Sequence, residues 1–253
     1  MISSKDNEKL KLVRKLAERK HREQEGLFVT EGEDLLKAGR STGLEPKLLL
    51  TREGEGLGGL EVEGELLNAA SQLASGTRAI AIWPLPEAKR PTPRAIPGNA
   101  GRFEAEAREG ALCVYLHGVG DPGNVGSIVR SAGALADAWI ALGPACADPY
   151  GPKAVRASMG AIFTVAISRC EIEETPAPRV SLVAHGGEPE PRTEASTICL
   201  GAERDGLPEE VIAASDTTWT IPMRPDAVES LGVAAAAAIA LGRIGSPRSE
   251  ESP

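Results

Sequence analysis

The sequence predicts an α/β protein in two successive parts, the second built on a parallel sheet. Three observations carry this. Short apolar runs suited to strands alternate with helical stretches along most of the chain, the pattern of parallel strands joined by crossovers. A segment over 87–109, rich in proline and without apolar periodicity, separates the two parts as a linker. The 253 residues are 42% apolar but only 3% aromatic, so the core must be built from Ala, Val, Leu and Ile.

The elements follow in order. Leu10, Val13, Leu16 and Ala17 share one face of a helix predicted over roughly 4–24, ended by Gly26. A strand follows at 27–29, a turn at Glu31-Gly32 and a helix around 34–38. A strand at 46–50, a helix at 66–74 and a strand at 78–83 complete a small α/β unit over 1–86. The second part, 110–246, opens on a buried strand at 111–116 and a helix at 124–136. Strand 139–142, helix 153–159 and strands 165–167, 180–184 and 197–200 come next, then a helix around 209–214 and an Ala-rich helix at 233–244. Residues 247–253 read as a disordered polar tail, and no internal repeat is visible.

Bulk properties exclude several classes. No apolar run approaches the ~18 residues of a membrane span, and the polar start MISSKDNEKLKLVRK lacks the apolar stretch of a secretory signal, so a cytoplasmic protein is expected. Cys113, Cys146, Cys170 and Cys199 form no close pair, which favours buried free thiols over a zinc or redox motif. With three scattered histidines as well, no metal is expected. Scarce aromatics argue against binding RNA by stacking many bases on rings.

The net charge of −8 disfavours a nucleic-acid partner until its distribution is read. Residues 1–22 carry eight Lys or Arg against three acids, a surplus of five that leaves −13 on the rest. Lys9, Lys11, Lys15, Lys20 and Arg22 are the candidates for a phosphate-binding face. A merely solvated basic helix explains the same residues equally well.

Three stretches carry the candidate chemistry. In the first, Asp121-Pro122-Gly123-Asn124-Val125-Gly126-Ser127-Ile128-Val129-Arg130, two glycines at a helix start allow a ligand close to the backbone, and Arg130 offers a planar fork for a phosphate. The second, Leu200-Gly201-Ala202-Glu203-Arg204-Asp205-Gly206-Leu207-Pro208, follows a strand. The third runs from Ile221-Pro222-Met223 to Glu229-Ser230-Leu231-Gly232-Val233, where Ser230 also suits a plain helix N-cap. Each alone reads as an ordinary turn, loop or cap.

In this order and spacing the three resemble the SpoU family of RNA ribose 2′-O-methyltransferases, of the SPOUT class. The stretch from Asp148-Pro149-Tyr150 through Lys153, Arg156 and Gly160-Ala161 looks like the same family. Ser3, Asn7, Lys11, Leu16, Arg22, Gly26 and Val29 to Gly32 resemble the RNA substrate-binding domain these enzymes often carry, a small α/β fold similar to certain ribosomal proteins.

The resemblance implies a parallel α/β sheet whose C-terminal segment is threaded into a trefoil knot. It implies S-adenosylmethionine as methyl donor, held at Gly201, Ile221 and Leu231 with Pro222 and Met223 beside them. It implies Arg130, Asn124, Glu203 and Ser230 as catalytic residues: Arg130 on the RNA phosphate or the 2′-hydroxyl, Asn124 and Glu203 positioning Arg130 and the ribose, Ser230 holding the hydroxyl. Homodimerisation and a ribosomal RNA substrate follow by the same analogy, with transfer RNA as the alternative. The chain departs from the family at Gly232, where an Asn is usual. That departure motivates a rival of another class, an RNA-binding paralogue without catalysis. A nicotinamide enzyme is disfavoured, since no Gly-x-Gly-x-x-Gly follows the strand at 111–116.

Overall fold

The computed structural model describes residues 1–72, 76–86, 110–189, 195–224 and 230–245. The linker and tail expected at 87–109 and 247–253 lie outside them. Two sheets organise the described residues. The first has four strands in the order β1-β4-β2-β3: β1 (Leu27–Glu31), β2 (Leu48–Arg52), β3 (Leu60–Val62) and β4 (Ala79–Pro84). Here β4 runs antiparallel to both β1 and β2, while β2 and β3 are parallel. Helices α1 (Glu8–Lys15), α2 (Arg19–Glu25), α3 (Glu33–Ser41) and α4 (Gly64–Ala70) accompany it. Leu10, Val13 and Leu16 are buried with Leu50, Leu67, Ile80 and Ile82, so the predicted apolar face of the first helix does enter a core.

That first helix is broken in two. Side-chain Asn7 accepts the N–H of Lys9 at its start, and α1 stops at Lys15. A helix end leaves carbonyls without intrahelical donors. Arg22 of α2 supplies two: its Nη1 donates to the carbonyls of Leu16 and Ala17, each at 2.7 Å. The bend is therefore held by a side chain of the next helix, itself fixed by the distant Asp148, which the unbroken apolar periodicity does not reveal.

The second sheet has six strands, all parallel where paired, in the order β10-β8-β9-β5-β6-β7. Its strands are β5 (Leu112–Leu116), β6 (Ala138–Leu142), β7 (Ile167–Arg169), β8 (Arg179–Leu182), β9 (Thr197–Leu200) and β10 (Thr217–Trp219). Side chains alternate across a strand. Leu112, Val114 and Leu116 thus face one core with α5 (Pro122–Leu135) and α8 (Val233–Ile244). Cys113 and Tyr115 face the other, with Val211 of α7 (Glu209–Ala213). α6 (Pro152–Ser158) lies along α5. Burial on both faces explains why these strands read as continuous apolar runs. The four cysteines are free, three of them buried. Burial pushes the Cys199 thiol up to about 11 and raises Cys113 and Cys146 as well.

Candidate active site

Ligands of parallel sheets bind beyond the carboxyl ends of the strands. At that end a pocket of about 150 Å³, open at its mouth, is lined by the segments leaving β8 and β9, by residues after β10, and by the start of α8. Six of the predicted site residues meet there: Gly201, Glu203, Ile221, Met223, Ser230 and Leu231. Pro222 is exposed and lies outside the lining. Leu182, Val183, Leu200 and Val233 make the wall largely aliphatic.

The second stretch folds back on itself. Ala202 and Gly206 exchange backbone hydrogen bonds at 3.0 Å in both directions. Any Cβ on Gly201 would run into the backbone of Gly206 and Leu207. Only glycine permits this closure, so Gly201 shapes the pocket by having no side chain.

Helix α5 enters from the next strand over. Asp121 is its N-cap, accepting the N–H groups of Gly123 at 2.6 Å and Asn124 at 3.1 Å, with Pro122 in the first turn. Lys153 of α6 donates to the other carboxylate oxygen at 2.7 Å. That ammonium, ahead of the helix N–H groups, holds the Asp121 carboxyl below its ordinary range. Asn124 then donates from Nδ2 to Glu203 Oε1 at 2.7 Å, joining the first stretch to the second.

Three expectations need correction. Gly123 and Gly126 are not open to a ligand: a Cβ on Gly123 would meet Asp121 Oδ1 at 2.7 Å, and one on Gly126 would meet Ala157 Cβ at 2.7 Å. They serve the cap and the α5–α6 contact. Asn124 and Glu203 bond each other rather than Arg130. Arg130 is exposed six residues further along α5, about 9 Å down the axis, and makes no hydrogen bond or ion pair among the described residues. Arg22 is not a surface cation. It is 4% exposed, with Nε and Nη2 on Asp148 Oδ2 at 3.1 and 2.6 Å, so it is closed to a phosphate.

The other basic residues stay on the surface. Lys11 pairs with Glu8 at 2.8 Å and Lys15 with Glu25 at 2.9 Å, whereas Lys9 and Lys20 have no side-chain partner among the described residues. Ser230 is not the cap of α8; Gly232 is. Sequence reasoning missed Arg204, a lining residue beside Glu203, and the β8 segment at Leu182, Val183 and Ala184. Adjacency to Glu203 was a usable signal for Arg204; nothing local marked the β8 segment.

Residues 111–242 match the SpoU rRNA Methylase family. The chain belongs to this family. Residues 7–82 match the MRM3-like substrate binding domain. Among SpoU relatives, a 23S rRNA guanosine 2′-O-methyltransferase of Bacillus subtilis, RlmP, is 27% identical over 256 residues, covering 94% of this chain and 96% of the relative. An rRNA methyltransferase from Sinorhizobium meliloti, solved with AdoMet bound, superposes with a TM-score of 0.77 at 26% identity, covering 96% of both chains. The SpoU methyltransferase AviRb of Streptomyces viridochromogenes shares the fold, with a TM-score of 0.78 at 24% identity over 94% of this chain and 97% of its own. The α/β architecture with a parallel sheet is thus the SpoU architecture. Among the described residues no group of three His, Cys, Asp or Glu is placed to hold a metal ion, and no helix is long and apolar enough to cross a membrane.

Proposed function

We propose that this protein transfers the methyl group of S-adenosylmethionine to a ribose 2′-hydroxyl of ribosomal RNA. The observation that carries the reading is the convergence of Gly201, Glu203, Ile221, Met223, Ser230 and Leu231 on one pocket, tied to α5 through Asn124. Family membership and the B. subtilis relative's named substrate support ribosomal over transfer RNA.

The pocket suits the donor. Its aliphatic wall suits an adenine face, and its open mouth leaves room for the rest of the donor. Gly201, Ile221, Met223 and Leu231 would hold it, with backbone groups of the folded-back loop giving orientation. When bound, S-adenosylmethionine supplies an electrophilic methyl carbon. The protein's part is alignment, which can lower a barrier by several kcal/mol (about 7–11 in well-oriented systems). Glu203, steadied by Asn124, and Ser230 flank the ribose. Arg130 grips the adjoining RNA phosphate, because a guanidinium stays protonated and makes a poor base. Its distance from Asn124 along α5 fits a contact with RNA outside the pocket.

The RNA lies across both halves, 1–86 and 110–246, with Lys9, Lys11, Lys15 and Lys20 on its phosphates. Two copies associate through exposed small and apolar residues: Ala235, Ile239 and Gly242 on α8, Ile239 being 38% exposed, and Leu135 on α5, 40% exposed. The loops after β9 and β10 form the family's trefoil knot, and the enzyme works in the cytoplasm. Gly232 does not abolish turnover, since Glu203, Ser230 and Asn124 are all in place.

The test is methylation of ribosomal RNA with labelled S-adenosylmethionine, followed by alkaline hydrolysis. The expected product has one phosphodiester resistant to alkali next to the label. Label on a base, or none, refutes the reading.

A further inference from the structure

The stretch from Asp148 to Ala161 also resembles the family, yet neither it nor the turn that follows to Phe163 lines the pocket. Its side chains go elsewhere. Asp148 Oδ2 takes both Nε and Nη2 of Arg22, while Oδ1 accepts the N–H of Tyr150 at 3.0 Å and so fixes the turn into α6. Tyr150 stacks obliquely on Phe28 at 5.3 Å between centroids. Phe163 meets Phe28 at 5.8 Å and Trp83 edge-on at 4.9 Å. Val155 and Ile162 are buried with Leu35 and Leu36 of α3. Gly160 lets α3 approach so closely that a Cβ there would sit 2.7 Å from Ala38 Cβ. Apart from the Tyr150 N–H within the turn, every one of these partners belongs to the first sheet or its helices.

We propose that residues 148–163 are a docking element that fixes the RNA-binding half against the methyltransferase half, and that Arg22 and Asp148 are positioning residues which set target choice. The reasoning rests on the function proposed above. Lys9 and Lys20 on one half would bind phosphates, and the pocket on the other half receives the ribose. A rigid seam converts the separation of those two surfaces into a fixed reach along the RNA. Only a ribose at that reach from the phosphate contacts meets the donor in line.

The ion pair supplies orientation that the apolar contacts lack. Apolar packing is non-directional, whereas the planar guanidinium is held at three of its nitrogens, by one carboxylate and by two carbonyls at the α1–α2 bend. The same element also braces the pocket side, since Lys153 of α6 holds Asp121, which caps α5. Docking and bracing thus share one short helix.

The experiment uses the full chain carrying Asp148→Asn, which keeps the side chain's volume but sets an amide against the guanidinium. Asp148→Glu retains the charge. Spin labels at Lys47→Cys and Glu210→Cys, in a Cys170→Ser background, report the distance between the halves. Donor affinity is measured by calorimetry, and target choice by mapping 2′-O-methyl positions on ribosomal RNA. The natural chain is expected to give one narrow distance distribution. Asp148→Asn should broaden it, lower kcat/KM for RNA about tenfold or more, and spread methylation to additional riboses, with donor Kd unchanged within about two-fold. Asp148→Glu should recover part of the selectivity. An Asp148→Asn chain with natural distances and natural selectivity overturns the proposal. So does a fall in donor affinity that matches the loss with RNA, because Asp148 would then support the pocket itself. If the natural chain transfers no methyl group to RNA, the proposed function fails, and the distance measurement still decides the docking.

Discussion

The seam between the halves and helix α5 each carry an arginine, and the two arginines live in opposite environments. Arg22 is 4% exposed and held on both sides, by Asp148 and by the carbonyls of Leu16 and Ala17. Arg130 is exposed and has no partner among the described residues. Both belong to stretches that resemble the family, and residue type alone does not separate them. Burial and partners do: Arg22 is satisfied within the fold, whereas Arg130 is free to meet the RNA phosphate proposed for it.

The comparison breaks most easily at Arg130. Arg130→Ala is expected to slow methyl transfer by about 10²–10³-fold or more, the scale of losing one placed donor at a reacting group. Donor affinity by calorimetry should stay within about two-fold. Arg130→Lys should fail too, since an ammonium cannot reproduce the planar fork. An equal loss in donor affinity would move Arg130 into the pocket.

Arg22→Met should act on stability instead. It leaves Asp148 Oδ2 and two carbonyls unpaired in a poorly solvated seam. Breaking a buried pair in this way costs about 3–5 kcal/mol, readable as a lower urea midpoint. A change below about 1 kcal/mol would make Arg22 no different from a surface cation.

The exposed cations of α1 and α2 come next. Neutralising Lys9 and Lys20 should flatten the salt dependence of RNA binding, each lost phosphate contact reducing the log–log slope by about 0.7–0.9. Lys11 and Lys15, already paired with Glu8 and Glu25, should contribute less. An unchanged slope means RNA binds elsewhere.

Asp121 gives a pH signature. Lys153 and the first helix N–H groups hold its native carboxyl below the ordinary 3.8. Its stabilisation is therefore fully present above that value and is lost as pH falls through the lowered native one. Asp121→Asn should remove this part of the acid-side decline in melting temperature below pH 4, and identical acid profiles would show that the carboxylate's charge contributes nothing.

The smallest effect is expected at Gly232. Its backbone, φ −60° and ψ 143°, is ordinary for an N-cap, and a Cβ there meets nothing within 4 Å. Asn would cap α8 where glycine has no side chain to do so, adding a few tenths of a kcal/mol, on the order of the Gly-to-Asn cap difference. Single-turnover methylation by Gly232→Asn should equal or exceed the natural rate. An inert natural chain beside an active Gly232→Asn would favour the non-catalytic paralogue.

Much of the second sheet was legible because its strands are buried on both faces, so Leu112–Leu116 and Thr197–Leu200 stand out as apolar runs. α8 spans the predicted residues, its Ala-rich pattern having no competing signal. β3 and β10, three residues each, were too short to show alternation. The break between α1 and α2 was hidden because it depends on Arg22 and on a partner 126 residues away. In the site, Gly201, Glu203 and Ser230 were legible through their stretches. The glycines of α5 were misread because local sequence cannot tell a backbone bared for a ligand from one bared for a neighbouring helix.

That neighbouring helix gives Gly126 an unusual standing. Any side chain there would be driven against the Ala154 carbonyl and the Ala157 methyl on α6. The position is neither a candidate RNA contact nor a pocket residue itself, so a survey of ligand contacts would pass it over. Yet a wedge at Gly126 would tilt the helix that both halves lean on, and so displace two surfaces at once. Mutational scans should find this buried glycine as intolerant of alanine as the pocket is of losing Glu203, with the difference that no added donor or RNA can rescue it.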